Sequence, residues 1–473
     1  MKISALLCAI SVMCFTQAYA APQASASSAA AVTAKISSAS AKAKSKKSKK
    51  VDHFAENGFG NAVAIIQHPA GIHKDGITYV TYQGALEDPY IAAYNHSTAE
   101  WTGPFKAGVS VMGKDPSRKI DNHGKPSMVI DDAGYIHIFF GGHGGTAAQH
   151  GKNPLGNHHY GENKHVVSKR PLDITEWEEL DTIPPFGTYN QIVKMDNGDI
   201  YLFYRHGAHR SDWVYHLSTD NGRNFGPAVS FLKHKRRTDV EGVDSWYPWV
   251  GRGQGDDIIV SFDYHLCWDR KARERGHTAN REDLHYMTFN TKTKEWRNIE
   301  GERLPMPLTR EVADEKTKVV DSGELWTFNG AAALDPAGRP HLLMNAGKDI
   351  GKITGGPKQV KHIRWDGSSW VGGKTVSPLG GRADIEVKSE TDVSLYMTYK
   401  DKSGVHVIIR RDSKDAGESF TKNEVLFANK GGLAVSGLIE NAHPDARMIV
   451  TPRTRGRELK KMYLIGDNGP VKR

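Results

Sequence analysis

The chain is short of cysteine, of long apolar runs and of helical periodicity, and each shortage excludes something. Three cysteines occur in 473 residues, at positions 8, 14 and 267. The first two lie in an apolar N-terminal stretch that reads as a leader, so the mature chain keeps one thiol and no internal disulfide. No stretch approaches the ~20 consecutive apolar residues that a membrane-spanning helix needs. Acids are missing from the first fifty residues, which hold eight lysines. Setting those eight aside reduces the formal net charge from +9 to +1. The basic balance is therefore a property of a tail, and nucleic-acid binding loses its main support.

The tail has two parts. Lys2, the apolar run Ile3 to Thr16 and the small-x-small pattern Ala18-Tyr19-Ala20 read as a secretory signal peptide over residues 1–20. Residues 21–51 are almost wholly Ala, Ser and Lys and cannot bury a core, so they read as a disordered tether. Residues 52–473 form the folded body, expected to be a secreted, soluble monomer without a transmembrane segment.

That body is rich in short runs of Val, Ile, Tyr, Phe and Thr separated by Gly, Asp and Asn, which makes it all-β. A tight turn followed by an alternating strand recurs, centred on positions 76, 134, 198, 255, 338, 392 and 445. The steps are 58, 64, 57, 83, 54 and 53 residues. Seven units of this size predict a seven-bladed β-propeller of four-stranded antiparallel blades, with one insertion after the fourth repeat. Ser218-x-Asp220-x-Gly222-x-x-Phe225 and Ser413-x-Asp415-x-Gly417-x-x-Phe420 both match the Asp-box turn of sialidase-like propellers.

Chemistry-bearing residues gather at strand ends in adjacent units. They lie in Asp121-Asn122-His123-Gly124-Lys125-Pro126, Gly141-Gly142-His143-Gly144-Gly145, Gly187-Thr188-Tyr189-Asn190 with Tyr204-Arg205-His206, and Ser245-Trp246-Tyr247-Pro248-Trp249. Singly, each has an ordinary structural explanation; jointly they suggest a site. The loops carry no glycosidase-like carboxylate pair, and only Arg205 is placed to grip a carboxylate as a sialidase would. His, Tyr and Arg suit β-elimination beside a uronic acid, whose C5 proton becomes removable once the neighbouring carboxylate is neutralised. A Tyr or His then takes that proton, and another protonates the leaving oxygen. Tyr189 serves as base only if Arg205 or a histidine lowers its pKa. Asn122, Asn190, Trp246 and Tyr247 are the expected substrate contacts, the two aromatics as stacking faces. A non-catalytic, lectin-like propeller and a sialidase-like hydrolase are the alternatives.

In the insertion, strand alternation puts His265 and Cys267 on one face. With His277 and with His209 of the neighbouring unit they make a three-histidine, one-cysteine set suited to a closed structural zinc site, with Asp263 or His285 as substitutes. The chemical step itself is expected to need no cofactor.

Asp121-x-His123-x-x-Pro126 followed by Gly134-Tyr135-Ile136-His137, and later Arg364-Trp365-Asp366-Gly367-x-x-Trp370, resemble the BNR-type propeller lyases. Within them the chain most resembles the ulvan lyases of polysaccharide lyase family twenty-five, over about residues 52 to 473. The resemblance implies cleavage of ulvan between sulfated rhamnose and a uronic acid, with an unsaturated uronyl end. It implies a catalytic group of His123, His143, Tyr189 and Arg205 with Tyr247 beside it, and a bound zinc. It does not say which member is acid and which is base.

Overall fold

The computed structural model describes residues 50–111, 121, 123–159, 161–267, 280–347, 358–377, 380–454 and 456–473. Its strands form seven antiparallel sheets. Six are consecutive along the chain, beginning with the strands Gly71–Lys74, Ser127–Ile130, Thr188–Lys194, Val243–Arg252, Trp326–Leu334 and Gly380–Val387, except that the two-residue strand Lys235–Arg236 precedes Val243–Arg252 in the fourth. The seventh takes four strands from the C-terminal end, the last of them Gly469–Pro470, and one strand, Ala55–Phe59, from the N-terminal end, paired with Leu459–Gly466. Blade seven then bonds back to blade one, through the His73 N–H on the Glu440 carbonyl (2.9 Å) and the Glu440 N–H on the Gly71 carbonyl (3.0 Å). The two ends of the fold share one core, in which Phe54 and Tyr82 pack with Met462 and Leu464.

The seven repeat turns each join the first and second strands of a blade. Gly76, Gly134, Gly198, Gly255 and Gly338 all have positive φ there, which is why the tight turn recurs with glycine. The long step belongs to blade four. Its central strands run to ten, eleven and ten residues, and an extra strand, Lys318–Val320, follows a short helix, Arg310–Lys316, and pairs at Leu284.

Both Asp-box turns link third and fourth strands and have the same internal bonding. The Gly222 and Gly417 N–H groups donate to Ser218 Oγ (2.9 Å) and Ser413 Oγ (2.8 Å). Each glycine also lies on a buried histidine of the preceding blade. A Cβ on Gly222 would come 2.9 Å from His137 Cε1, and one on Gly417 2.3 Å from His362 Cε1. Those rings pair in turn with His165 (2.9 Å) and His341 (3.0 Å). The Asp box thus braces one blade against the next, and its glycine is required by sterics as well as by φ.

Gly417→Ala should therefore lower stability by roughly 2 kcal/mol, since a positive φ alone costs about 1–2 kcal/mol for a non-glycine residue. In a His362→Ala background the same change should cost less, as measured by denaturant midpoint. Equal losses in both backgrounds would leave only the backbone as the cause.

Candidate active site

The site lies on the face opposite the repeat turns, where first strands begin and second strands end. Asp121 and His123 precede the first strand of blade two, and His143 follows its second strand, Ile136–Gly141. Tyr189 opens the first strand of blade three, and Arg205 closes the second, Ile200–Arg205. Tyr247 comes from the first strand of blade four, Asp263 and His265 from its second, and Arg281 begins its third.

Asp121 organises the histidines. Its buried carboxylate accepts the Nδ1–H of His123 on one oxygen and that of His143 on the other, and the His123 backbone N–H adds a bond of 2.8 Å. Burial alone would raise this carboxyl, but the two imidazoles outweigh it and hold Asp121 well below the usual range. With both Nδ1 atoms engaged, each ring keeps a lone pair on Nε2. Burial brings His143 down to about 4 against the pull of Asp121, so it is neutral near pH 7. The His123 ring, about one-quarter exposed, lies edge-on to Tyr189 with centroids 5.1 Å apart.

Backbone strain marks the same place. His143 and Tyr189 have φ of 65° and 64°, a region costly for a side chain with a Cβ. The two loops are tied together: the His143 N–H donates to the Gly187 carbonyl (2.8 Å), and the Tyr189 N–H to the His123 carbonyl (3.0 Å). Burial, and then Tyr247, push the Tyr189 phenol well above its usual value despite Arg205 and Arg281. Tyr189 is therefore a protonated donor, and the condition set for it as a base is not met in this arrangement.

Arg205 is fully buried. Nη1 donates to the Tyr247 hydroxyl (3.2 Å), and the guanidinium lies 5.0 Å from the Tyr189 ring centroid. Nε and Nη2 have no hydrogen-bond partner among the described residues. Beyond Tyr247 stands Arg281, its guanidinium 3.9 Å from that ring and its Nη1 donating to Asp263 (3.1 Å). Arg281 also borders a cavity of about 420 Å³ lined by Phe328, Lys358, Arg382 and Arg453 among others. Burial, then Arg281 and Arg453, hold Arg382 down at about 10. Burial, with Arg382, Arg453 and Arg281, brings Lys358 to about 8. Positive charge of this density, offset only in part by Asp263 among the described residues, favours an anionic ligand.

Two expected substrate contacts are corrected. Trp246 is fully buried in the core against Phe262 and Tyr264, and its indole N–H donates to the Lys233 carbonyl (2.8 Å). Asn190 is buried too, its amide bonded to Asn163 (2.9 Å). For Trp246 alternation is the reason: Tyr247 faces the site, so its strand neighbour faces away; at Asn190 the strand is irregular between Thr188 and Gln191. Asn122 lies outside the described residues. The sequence reading missed Asp121 as a ligand of both rings, although the Asp-x-His spacing was its signal. It also missed Arg281, Arg382 and Lys358, which no motif marks.

Of the expected metal ligands, Cys267 is buried at the end of its strand, and His209 and His265 have ring centroids 6.1 Å apart. His277 lies outside the described residues. Of the suggested substitutes, Asp263 pairs with Arg281, while His285 bonds to Thr317 through Nδ1 (3.2 Å) and stands with Asp283 and Asp314 in a group whose ligand atoms lie within 4.8 Å of one another.

Comparison with known proteins gives one family model, described as a BNR repeat-containing family member, matching residues 77–375. The chain is 58% identical over 432 residues to an ulvan lyase of Alteromonas sp. (strain LOR), covering 89% of this chain and 88% of that one. It is 57% identical over 429 residues to an ulvan lyase of Nonlabens ulvanivorans, covering 90% and 91%. A solved ulvan lyase of polysaccharide lyase family twenty-five, bound to -[GlcA(1-4)Rha3S]-, is 57% identical with a TM-score of 0.85, covering 90% of this chain and 98% of that one.

A buried cation with two unsatisfied nitrogens is destabilising unless something else requires it. Arg205→Met, similar in volume and apolar, should therefore raise the denaturant midpoint, by about 1–2 kcal/mol in stability. A clear loss instead would show that contact with the two tyrosine rings outweighs the desolvation.

Proposed function

The chain belongs to the ulvan lyases of polysaccharide lyase family twenty-five, and from that membership we propose how its residues divide the reaction. The enzyme cleaves ulvan between sulfated rhamnose and a uronic acid by β-elimination, which sets aside the lectin-like and hydrolase alternatives. A base removes the C5 proton of the uronate, the C4–O bond breaks with its electron pair going to oxygen, and an acid protonates that oxygen. A C4–C5 double bond conjugated with the carboxylate remains.

The observation that carries the division of roles is the buried Arg205 fork, with donors to spare, beside a protonated Tyr189 and an Asp121-held His123. Arg205 receives the uronate carboxylate in a bidentate pair and stabilises the charge that develops on it as the C5 proton leaves. His123 takes that proton on Nε2, because Asp121 fixes its tautomer and favours the imidazolium that forms. Tyr189 gives its proton to the leaving oxygen. His143 completes the Asp121 pair and holds His123 in place, and Tyr247 orients Arg205 through its hydroxyl. Arg281, Arg382, Lys358 and Arg453 supply the positive wall along which a sulfated chain extends.

Residues 1–20 act as the secretory leader and 21–51 as a tether, and the secreted enzyme works as a monomer. His209, His265, His277 and Cys267 hold a structural zinc ion. The buried thiol, the facing imidazoles and the three-nitrogen, one-sulfur donor set support this assignment. When bound, the ion contributes folding stability by tying blade three to the blade-four insertion.

Two outcomes follow. With ulvan as substrate and the ultraviolet absorbance of the conjugated product as readout, Arg205→Lys keeps the charge but loses the fork, so turnover falls about 100-fold. Arg205→Ala loses a further ten-fold or more, and both variants stay folded. Near-normal rates in both would reduce Arg205 to a structural cation. For the metal, chelation or Cys267→Ser should lower the melting temperature, while low-temperature turnover survives in the folded fraction. Activity lost on chelation with folding intact, and restored by zinc, would make the ion catalytic and refute the structural assignment.

A further inference from the structure

A second group of metal-competent side chains lies on the turn face, away from the active site. His96 follows the third strand of blade one, Pro89–Asn95, while His443 and Asp445 sit in the first hairpin of blade seven. One potential ligand atom from each lies within 4.8 Å of the others. The His96 and His443 ring centroids are 4.0 Å apart, and His73 stands 5.1 Å from the first and 5.4 Å from the second. The three imidazoles and the carboxylate therefore meet across the seam where the ring closes.

The rest of the molecule supplies a contrast. His137–His165 and His341–His362 are fully interior pairs, each sealed beneath an Asp-box glycine, and they are explained by packing. The seam group is partly exposed, with Asp445 at the surface, so an ion can reach it. Thr78, buried beneath, bonds His73 Nδ1 (3.0 Å) and His96 Nε2 (2.8 Å). That hydroxyl occupies one nitrogen of each ring and fixes its orientation, as outer-shell groups do for histidine ligands. Donors around a tetrahedral ion at about 2.1 Å stand roughly 3.4 Å apart, so modest side-chain rotations would close the group.

We propose that His96, His443 and Asp445, flanked by His73, form a divalent-metal site for a borderline ion of the zinc type, clasping blade one to blade seven. Imidazole and carboxylate donors select such an ion over calcium or magnesium, which favour all-oxygen shells. The ion ties together segments that are far apart in sequence, at the point where the propeller would first open. It stabilises the closed ring and takes no part in cleavage.

The full-length protein, its His443→Ala variant and, independently, its His96→Gln variant are dialysed against zinc, and the bound metal is counted. The wild type should hold one zinc per chain more than either variant, and its melting temperature should rise further on adding zinc. Ulvan cleavage at low temperature should be the same in all three. Because the count is a difference, it is independent of whether Cys267 holds an ion. Equal zinc content in the wild type and a folded variant would overturn the proposal.

Discussion

The ring has to close, and the site depends on that closure. The proposed catalytic group is assembled from blades two, three and four, and the cationic wall beside it from blades four to seven. No blade holds enough of it to bind or cleave anything. Closure rests on the strand Ala55–Phe59 pairing into the last blade and on the backbone bonds between Glu440 and blade one. Asp-box turns repeat the same bracing between blades two and three and between blades five and six, by seating a glycine on the preceding blade's histidine pair. Rigidity gained this way lets His143 and Tyr189 persist in strained backbone conformations and keeps Arg205 buried without a full set of partners.

Electrostatics explains why the site is arranged as it is. One carboxylate, Asp121, serves two imidazoles, and the remaining charge nearby is mostly positive. Asp263 offsets Arg281 in part, whereas Arg382 and Lys358 are depressed by burial and by neighbouring cations. A polyanion relieves that repulsion on binding, so affinity for a sulfated, uronate-bearing chain is built into the unliganded protein. Burial and Tyr247 keep the Tyr189 phenol protonated against the pull of Arg205 and Arg281, which separates its role from that of His123.

Much of this was legible in the sequence because a propeller writes its period into its turns. The glycine-centred turns at 76, 134, 198, 255 and 338 recur for a conformational reason, and their spacing gave the blade count. His123, His143, Tyr189 and Arg205 were visible because they fall at equivalent strand ends. The errors have physical causes as well. Inner strands are buried on both faces, so polarity could not reveal the phase of alternation, and Trp246 was assigned to the wrong side. Arg281, Arg382 and Lys358 come from distant parts of blades four to six, and no local pattern joins them. His96 and His443 are adjacent only because the chain closes on itself.

Asp121 binds the Nδ1–H of both His123 and His143, and this fixes His123 in the tautomer whose Nε2 lone pair can take the proton. Nitrogen NMR of the histidine-labelled enzyme at neutral pH tests this most directly. Both rings should show a protonated Nδ1 and an unprotonated Nε2, and both patterns should change together in Asp121→Asn. A protonated Nε2 on His123 with a bare Nδ1 would contradict the shared carboxylate and remove the base from the proposed mechanism.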